Sequence, residues 1–409
     1  MFKFFDTYRG LPKSIYIIFF AQVINRFGDF VLPFLTLFLV KKMGLSFQEA
    51  GFAVTLATLA SIPGSFAGGK ISDHFGRKRA YMFFQLTAAF NLFLCAFFNS
   101  PGAIVTLVCI ASFFNGGVRP IIGAIITDVL PADKRTLGFS LSYLGINLGV
   151  SLGPLVAGFL FNNFIKMIFV VDALTSLIAV TLVLINIQES LPDHRHEKSE
   201  NHKEKHEEGN VFSVLWRRPQ ILIFLVINIL FSIAYTQHVF SLPIMLDSVF
   251  NLNGPKFYGF VMSTNAISVL VLTMFITRVT KDWNPLSTIA LAGILYGVGF
   301  GMIGIITTMP LFILSTIIWT IGEIMIVTNF SVYIANNTPQ NFRARFNAVT
   351  SLSWSIGAII GTSAMGKYMD HFGVRAVWPL VLALAFSGTI GMYLLKIKTE
   401  DKNRLEEAV

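Results

Sequence analysis

The chain has 409 residues, of which 54% are hydrophobic and only 13% are charged. Soluble domains carry roughly 25% charged residues, so a soluble enzyme is excluded and a polytopic membrane protein is indicated. The net charge of +9 does not indicate nucleic-acid binding, because cytoplasmic loops of membrane proteins are enriched in Lys and Arg.

The apolar segments predict a helical membrane protein. A helix needs about 20 mainly apolar residues to cross the bilayer core. Twelve such segments are present, at 15–40, 49–69, 80–99, 102–129, 137–163, 165–187, 220–247, 256–278, 286–307, 310–336, 346–368 and 376–396. The first is too long for a signal peptide and contains Arg26 and Asp29, so we expect it to remain as a helix. The predicted fold class is an all-α membrane protein with twelve transmembrane helices in two six-helix halves.

A polar segment separates the two halves. Residues 189–219 hold four of the seven histidines within a mixed-charge run, which is typical of a solvated linker. We therefore predict an N-terminal half at 1–188, a cytoplasmic linker at 189–219, and a C-terminal half at 220–409 with a short cytoplasmic tail. Cys95 and Cys109 lie inside apolar runs, so we expect no disulfide, and we predict neither a metal site nor a cofactor.

The positive charges predict the orientation. With both termini in the cytoplasm, cytoplasmic segments hold 23 of the 31 Lys and Arg residues, and six fall on the opposite side. The opposite topology would violate the positive-inside tendency. We expect a multi-pass monomer in the inner (plasma) membrane of the cell, in contact with the lipid bilayer and not with nucleic acid.

The run GKISDHFGRKR, residues 69–79, lies between the second and third spans. With the six-plus-six plan, it resembles the loop signature of the major facilitator superfamily. The Gly, Asp, Gly and Arg positions match at Gly69, Asp73, Gly76 and Arg77, while Ile71 replaces the usual Leu. The resemblance implies the major facilitator fold, and a carrier that works by alternating access.

The chemistry of this loop indicates a conformational latch. We expect Gly69 to let helices approach closely, and Gly76 to adopt a positive φ. Asp73 can accept hydrogen bonds from the N-terminus of another helix, and Arg77 is suited to pair with a carboxylate such as Asp128. In the family, such contacts latch the cytoplasmic side in the outward-open state.

The fifth span carries glycines at 145, 149 and 153. This spacing places them on one helix stripe where a neighbour can pack closely, and Pro154 favours a bend; together they would suit a rocking interface. The run GVSLGPLVAG, residues 149–158, resembles the fifth-helix motif of drug:proton antiporters.

A second resemblance competes with the first. Residues 139–149 are similar to a signature of proton-dependent oligopeptide transporters, and QVINRF at 22–27 stands where that family has Glu-x2-Glu-Arg-Phe. Both glutamates are missing, and this difference favours the antiporter interpretation.

Ionisable residues at membrane depth are costly and are candidates for function. Glu323 lies about 20 Å from either end of the tenth span. Its context resembles the glutamate site of proton-coupled carriers, and we predict that it carries the proton. Asp29 is either a second titrating site or only the partner of Arg26, since the two are three residues apart on one helix face. Asp172 and His238 are weaker candidates.

The remaining polar groups in the spans are candidates for substrate contact. They are Arg26, Arg119, Tyr143, Asn147, Gln237 and Asn265, with Phe27 and Tyr235 as further aromatic possibilities. The charges of Arg26, Asp29, Arg119 and Glu323 balance, and a balanced site suits zwitterions as well as other small molecules.

Three kinds of function are possible for a membrane protein of this kind. A proton-coupled exporter of drugs or small metabolites is favoured over a proton-coupled importer of peptides or nutrients. An intramembrane enzyme or a receptor is disfavoured because the sequence has no nucleophile–base pair or metal cluster at usable spacing. No Gly-x4-Gly-Lys-Ser/Thr signature is present, so an ion gradient is the expected energy source.

Overall fold

The computed structural model describes residues 8–131, 133–190, 218–337 and 343–407. The predicted linker at 189–219 lies almost wholly outside these residues, and its histidines are therefore not described. Throughout the described part, the regular structure is helical.

Thirteen long helices are described, and their bounds are as follows: α1 (Lys13–Gly28), α2 (Val31–Lys41), α3 (Phe47–Phe75), α4 (Arg77–Cys95), α5 (Pro101–Val129), α6 (Arg135–Asn163), α7 (Ile165–Asn186), α8 (Pro219–Phe250), α9 (Gly254–Thr280), α10 (Pro285–Met302), α11 (Met309–Asn337), α12 (Arg343–Phe372) and α13 (Val377–Glu407). Short 3₁₀ turns lie at Asn251–Asn253 and Val374–Ala376.

Within the described residues, nine stretches are long and apolar enough to cross a membrane. Helices α8 and α9 share one of these stretches, and α1 and α2 share another. Helices α4 and α12 fall outside the nine. Helix α4 begins with the charged residues Arg77, Lys78 and Arg79. The helices thus occupy the places of the predicted spans, and the count of twelve spans stays a prediction.

The chain divides into two compact units. Unit 1 comprises residues 1–197 together with 246–270, and unit 2 comprises 198–245 together with 271–409. In unit 1, α3 and α4 pack on α5, α4 packs on α7, and α1 packs on both α6 and α7. Buried side chains of these helices, among them Ile18, Phe84 and Ile121, form its core.

Unit 2 is organised around α10, which packs against α11 and α13. Polar contacts also join α8 to α12. The Asn228 amide donates to Ser353 Oγ at 3.1 Å, and the Ser232 hydroxyl donates to the Trp354 carbonyl at 2.7 Å. Because a membrane supplies few alternative partners, such bonds specify which helix faces meet.

The first span is not the single helix that the sequence predicts, because it is broken between α1 and α2. Pro33, the third residue of α2, explains the break. A proline ring clashes with the carbonyl group four residues earlier, here that of Asp29, and this clash favours a kink or a break at this point. At the break, the Phe30 amide donates to the Gly28 carbonyl at 2.7 Å.

The glycine stripe of α6 packs against α1, as its spacing predicts. A Cβ atom added at positions 145, 149 and 153 would lie 2.8, 2.5 and 2.5 Å from the backbone carbonyl oxygens of residues 19, 23 and 27, respectively. Only glycine allows this separation. The expectation that the stripe serves a rocking interface stays a prediction.

One predicted close contact is wrong. A Cβ atom at Gly69 would meet no described atom within 4 Å, whereas one at Gly68 would lie 2.5 Å from Gly117 Cα on α5. The helix rotation directs Gly68, together with Gly64 one turn earlier, at α5 and turns Gly69 away. The close approach of α3 and α5 therefore depends on Gly64 and Gly68.

This pair of adjacent glycines gives a matched test of packing. Gly68→Ala should destabilise the protein by about 1–3 kcal/mol, the usual cost of overpacking. Gly69→Ala should leave stability unchanged, or raise it by up to about 1 kcal/mol through better helix propensity. Thermal unfolding of the two purified variants in the same detergent measures the difference; equal midpoints would contradict the packing assignment.

Candidate functional site

The loop between α3 and α4 holds a network of charged groups. Arg77 Nε donates to Asp128 Oδ2 at 2.9 Å, and the Arg77 guanidinium also donates to Asp73 and, at 3.1 Å, to Ser72 Oγ. Asp128 lies in the last turn of α5, where the helix dipole disfavours a negative charge, so the guanidinium offsets that cost. Three predicted latch residues are thus brought together.

The neighbouring carboxylates stabilise the charged form of the Arg77 guanidinium. Partial burial by itself would lower the pKa of the guanidinium, but the hydrogen bonds and charges of Asp73 and Asp128 outweigh it and raise that pKa. Asp128 is largely buried, with 14% of its side chain exposed, whereas 61% of the Asp73 side chain is exposed. The Arg77–Asp128 pair is therefore the better shielded of the two.

Gly76 has the backbone conformation that its place in the signature predicts. Its φ angle is +100°, and it separates α3 from α4. A side chain at this position would be strained by the backbone and would also meet the carboxylate of Glu189. The turn consequently depends on glycine.

Glu189 is a residue of this network that sequence reasoning placed in the linker. Its Oε1 accepts the backbone N–H groups of Arg77 at 2.6 Å and Lys78 at 3.3 Å, at the N-terminus of α4. A carboxylate is stabilised there by the free amides and by the helix dipole. We expected Asp73 to bind a helix N-terminus; at α4, Glu189 fills that role, and the bond described for Asp73 is to Arg77.

A second group of polar side chains surrounds the break in the first span. Arg26 donates to Asp29 Oδ2 at 2.6 Å. One turn of α1 earlier than Asp29, the Asn25 amide donates to Ser176 Oγ on α7 at 3.0 Å, and the Gln85 amide of α4 donates to the same oxygen at 3.0 Å. The pairing expected for Arg26 and Asp29 is present, but Asp29 stands just past the end of its helix.

Glu323 lies in unit 2, in the middle of α11. The Tyr235 hydroxyl of α8 donates to Glu323 Oε1 at 2.7 Å. Tyr235 is itself surrounded by rings, with His238 at 4.2 Å, Tyr296 at 6.0 Å, Trp354 at 6.0 Å and Trp319 at 6.3 Å between centroids. Glu323 is only partly buried, so the carboxyl group sits at the accessible edge of an aromatic cluster.

The other predicted substrate-binding residues have different surroundings. Gln237 is fully buried; its amide donates to the Ile233 carbonyl and its carbonyl accepts from Ser241. The Asn147 amide donates to the Tyr143 carbonyl of its own helix, while the Tyr143 ring is exposed. Substrate contact by Gln237 would require these bonds to open.

Two further predicted contacts complete the set. Arg119 of α5 is exposed, and Asn265 of α9 is buried. Within unit 1, then, the structure brings together Arg26 with Asp29, and Arg77 with Asp73 and Asp128. A substrate-binding role for any of these residues stays a prediction.

A third ionic contact, which no motif indicated, lies at the other ends of the unit 1 helices. Lys41, at the end of α2, donates to Asp247 Oδ1 at 2.7 Å. Nearby, the Asn162 amide donates to the Leu252 carbonyl at 2.5 Å. These bonds tie the end of α2 to the last turn of α8, and the end of α6 to the 3₁₀ turn that follows α8.

Within the described residues, no group of three or more His, Cys, Asp and Glu side chains could hold a metal ion. What the arrangement offers is ion pairs at helix ends and carboxyl groups at membrane depth. Together with the many membrane-length helices, these features are those of a polytopic membrane protein with ionisable groups inside its helices.

Residues 18–362 match the family profile of the Major Facilitator Superfamily, and the chain belongs to this family. A Na(+), Li(+), K(+)/H(+) antiporter of Planococcus maritimus is 23% identical over 404 residues, covering 91% of this chain and 92% of that protein. The quinolone resistance protein NorA of Staphylococcus aureus is 23% identical, covering 97% and 99%. The crystal structure of a peptide transporter POT in complex with sulfate has a TM-score of 0.77 at 17% identity, covering 95% of both chains, which shows likeness of fold.

The latch network predicts a defect in turnover. Arg77→Ala and Glu189→Ala each remove charge-assisted hydrogen bonds worth about 1.5–3 kcal/mol, so either should slow transport by about tenfold or more. Substrate affinity should change much less, because a latch of the predicted kind would bias a conformational equilibrium without touching the substrate. Transport rates in proteoliposomes and equilibrium binding to the same purified variants separate the two effects.

Arg79→Ala is the control for this experiment. Arg79 is exposed in the first turn of α4 and carries the same charge as Arg77, so its loss should have little effect on transport. Equal defects in Arg77→Ala and Arg79→Ala would mean that the net charge of the loop matters and that the described bonds do not.

Proposed function

We propose that this protein is a proton-coupled exporter of small organic molecules that works by alternating access. The observation that carries the proposal is the Glu323 carboxyl group, placed mid-helix in α11 and hydrogen-bonded to a neutral phenol, Tyr235. A carboxyl group at membrane depth is costly unless it has a function or a partner.

The chemistry of this pair suits reversible protonation. When Glu323 is ionised, the Tyr235 hydroxyl donates to it, as the 2.7 Å separation allows. When Glu323 is protonated, its second oxygen becomes a donor while Oε1 can still accept. Because Tyr235 is an uncharged phenol, its bond to Glu323 can persist in both protonation states of the carboxyl group.

The surroundings of Glu323 suit an organic substrate. Aromatic rings attract cations through their π faces, and they also provide apolar contact area for planar molecules. A carboxylate beside such rings can hold a cationic or zwitterionic group while it is ionised and release that group when it is protonated. Competition between proton and substrate for one carboxyl group is a direct way to couple opposite movements.

Two further observations support export by exchange. The run at residues 149–158 resembles the antiporter motif, and its glycines give α6 close contact with α1. The relatives named above include a cation/proton antiporter and a quinolone resistance protein. On this basis, we propose organic cations and quinolone-like zwitterions as the substrates to be tested first.

Peptide transport is the alternative with a specific observation in its favour, namely the shared fold with a peptide transporter. The first span argues against it. Gln22 is buried and Asn25 is hydrogen-bonded to Ser176, so neutral amides occupy the places of the two glutamates in the peptide-transporter motif. Organic-molecule export is therefore the preferred proposal.

The proposal predicts the behaviour of Glu323→Gln. Glutamine keeps the shape and can still accept the Tyr235 bond, but it cannot bind and release a proton. Ethidium and norfloxacin accumulation in everted membrane vesicles with an imposed proton gradient should fall by at least tenfold. Exchange of labelled for unlabelled substrate without a gradient should be retained, because binding and conformational change do not require the proton.

Tyr235→Phe is the matched control, since it removes the hydroxyl donor and keeps the ring. It should retain gradient-driven accumulation with an altered pH profile. If Glu323→Gln still accumulates ethidium in a gradient-dependent manner, the proton is carried elsewhere. If wild-type vesicles take up neither dye nor quinolone but exchange protons for Na⁺, K⁺ or a dipeptide, export of organic molecules is the wrong function.

A further inference from the structure

The break between α1 and α2 leaves backbone groups that must find partners inside the protein. The N-cap residue of α2 is Phe30, whose side chain cannot accept a hydrogen bond, and no side-chain cap is formed by the segment itself. The first amides of a helix have no partner within that helix. At membrane depth water cannot be assumed to satisfy them, so another element must do so.

Asp172, on α7, supplies that partner. Its Oδ2 accepts the Val31 N–H at 3.3 Å, and the residue is only 5% exposed. Asp172 therefore caps α2 from a different helix. An ionised carboxylate is stabilised at this position by the amide and by the positive end of the helix dipole, so protonation of Asp172 weakens the cap.

The break rests directly on the same face of α7. A Cβ atom at Gly28 would overlap the Thr175 side chain, which lies almost one turn beyond Asp172. Asn25 is bonded to Ser176, the next residue along. Helix α1 therefore contacts the same face of α7 from which Asp172 caps α2.

The charges at the break are not balanced. One guanidinium, Arg26, is paired with Asp29, and Arg26 Nε is buried without a hydrogen-bond partner among the described residues. Asp172 is a second carboxyl group within electrostatic range of both. From α4, the titratable group near Asp172 is the Cys95 thiol. If both carboxyl groups were ionised, the site would carry a net negative charge at membrane depth, which is costly.

We propose that Asp172 is a second proton-binding site of this carrier, and that its proton controls the conformation of the break in the first span. The inference rests on the proposed function, because it assigns a role in proton coupling to unit 1 in addition to Glu323 of unit 2. With Asp172 protonated, the three ionisable groups at the break are neutral in sum. With Asp172 ionised, the cap on α2 is at its strongest.

The test is a pH-difference infrared spectrum of the purified full-length protein in lipid nanodiscs, which detects protonated carboxyl groups directly. Asp172→Asn keeps an oxygen that can accept the Val31 amide, so it should fold. It should lose one titrating carboxyl band that wild type shows. Glu323→Gln, the matched control in unit 2, should keep that band and lose a different one. An unchanged set of bands in Asp172→Asn would overturn the proposal.

Asp29→Asn provides a second, independent arm, in case Asp172→Asn does not fold. It keeps Asp172 and its cap but removes a neighbouring negative charge, so the Asp172 band should titrate at a lower pH than in wild type. If the Asp172 band titrates at the same pH as in wild type, the proposal is contradicted. Loss of the band at constant pH when NaCl is added would also contradict it, because the site would then bind sodium. Because Asp172→Asn and Glu323→Gln remove different carboxyl groups, this inference and the role proposed for Glu323 can fail independently.

Discussion

Hydrocarbon offers no hydrogen bonds, and the described structure follows from that single constraint. A helix satisfies its own backbone, so the apolar segments are helical. Where the first span is broken near Pro33, the amides at the start of α2 have to be capped from elsewhere, and Asp172 of α7 accepts the Val31 N–H. The requirement places a carboxyl group deep in unit 1, and a buried carboxyl group brings its own demand for a proton or a counter-charge.

The same constraint sorts the charged residues into two kinds. Arg77 with Asp128, and Lys41 with Asp247, are ion pairs at the ends of helices. Water reaches such positions when the pairs separate, so making and breaking them costs little. They are suited to hold one conformation and release it. Both pairs are completed by neighbouring bonds to backbone groups, from Glu189 in one case and Asn162 in the other.

Carboxyl groups at membrane depth form the second kind. Glu323 is hydrogen-bonded to a phenol and Asp172 to a backbone amide. Each of these bonds can form whether the carboxyl group is ionised or protonated. The bond described for each group can therefore persist when the carboxyl group gains or loses a proton. A carrier that exchanges protons needs groups of this second kind for coupling and groups of the first kind for its conformational change.

Local chemistry was readable from the sequence alone. Length and hydrophobicity determined the helices, the signature at 69–79 determined the positive φ of Gly76, and the spacing of the α6 glycines determined that they form one packing stripe. The pairing of Arg26 with Asp29 follows from their spacing of three residues along the chain. Each of these features depends on residues that are near one another in sequence, so helix periodicity is enough to derive it.

Features that join distant residues were decided by tertiary structure. Gly68, and not Gly69, meets α5 because the rotation of α3 selects one of two neighbouring glycines. Glu189 reaches the N-terminus of α4, Asp172 reaches that of α2, and Tyr235 reaches Glu323 across 88 positions of sequence. No spacing rule connects such residues, because their separation in space is set by how helices rotate and slide to satisfy buried polar groups. The sequence therefore determined which groups need partners, and only the packed helices decided which partners they have.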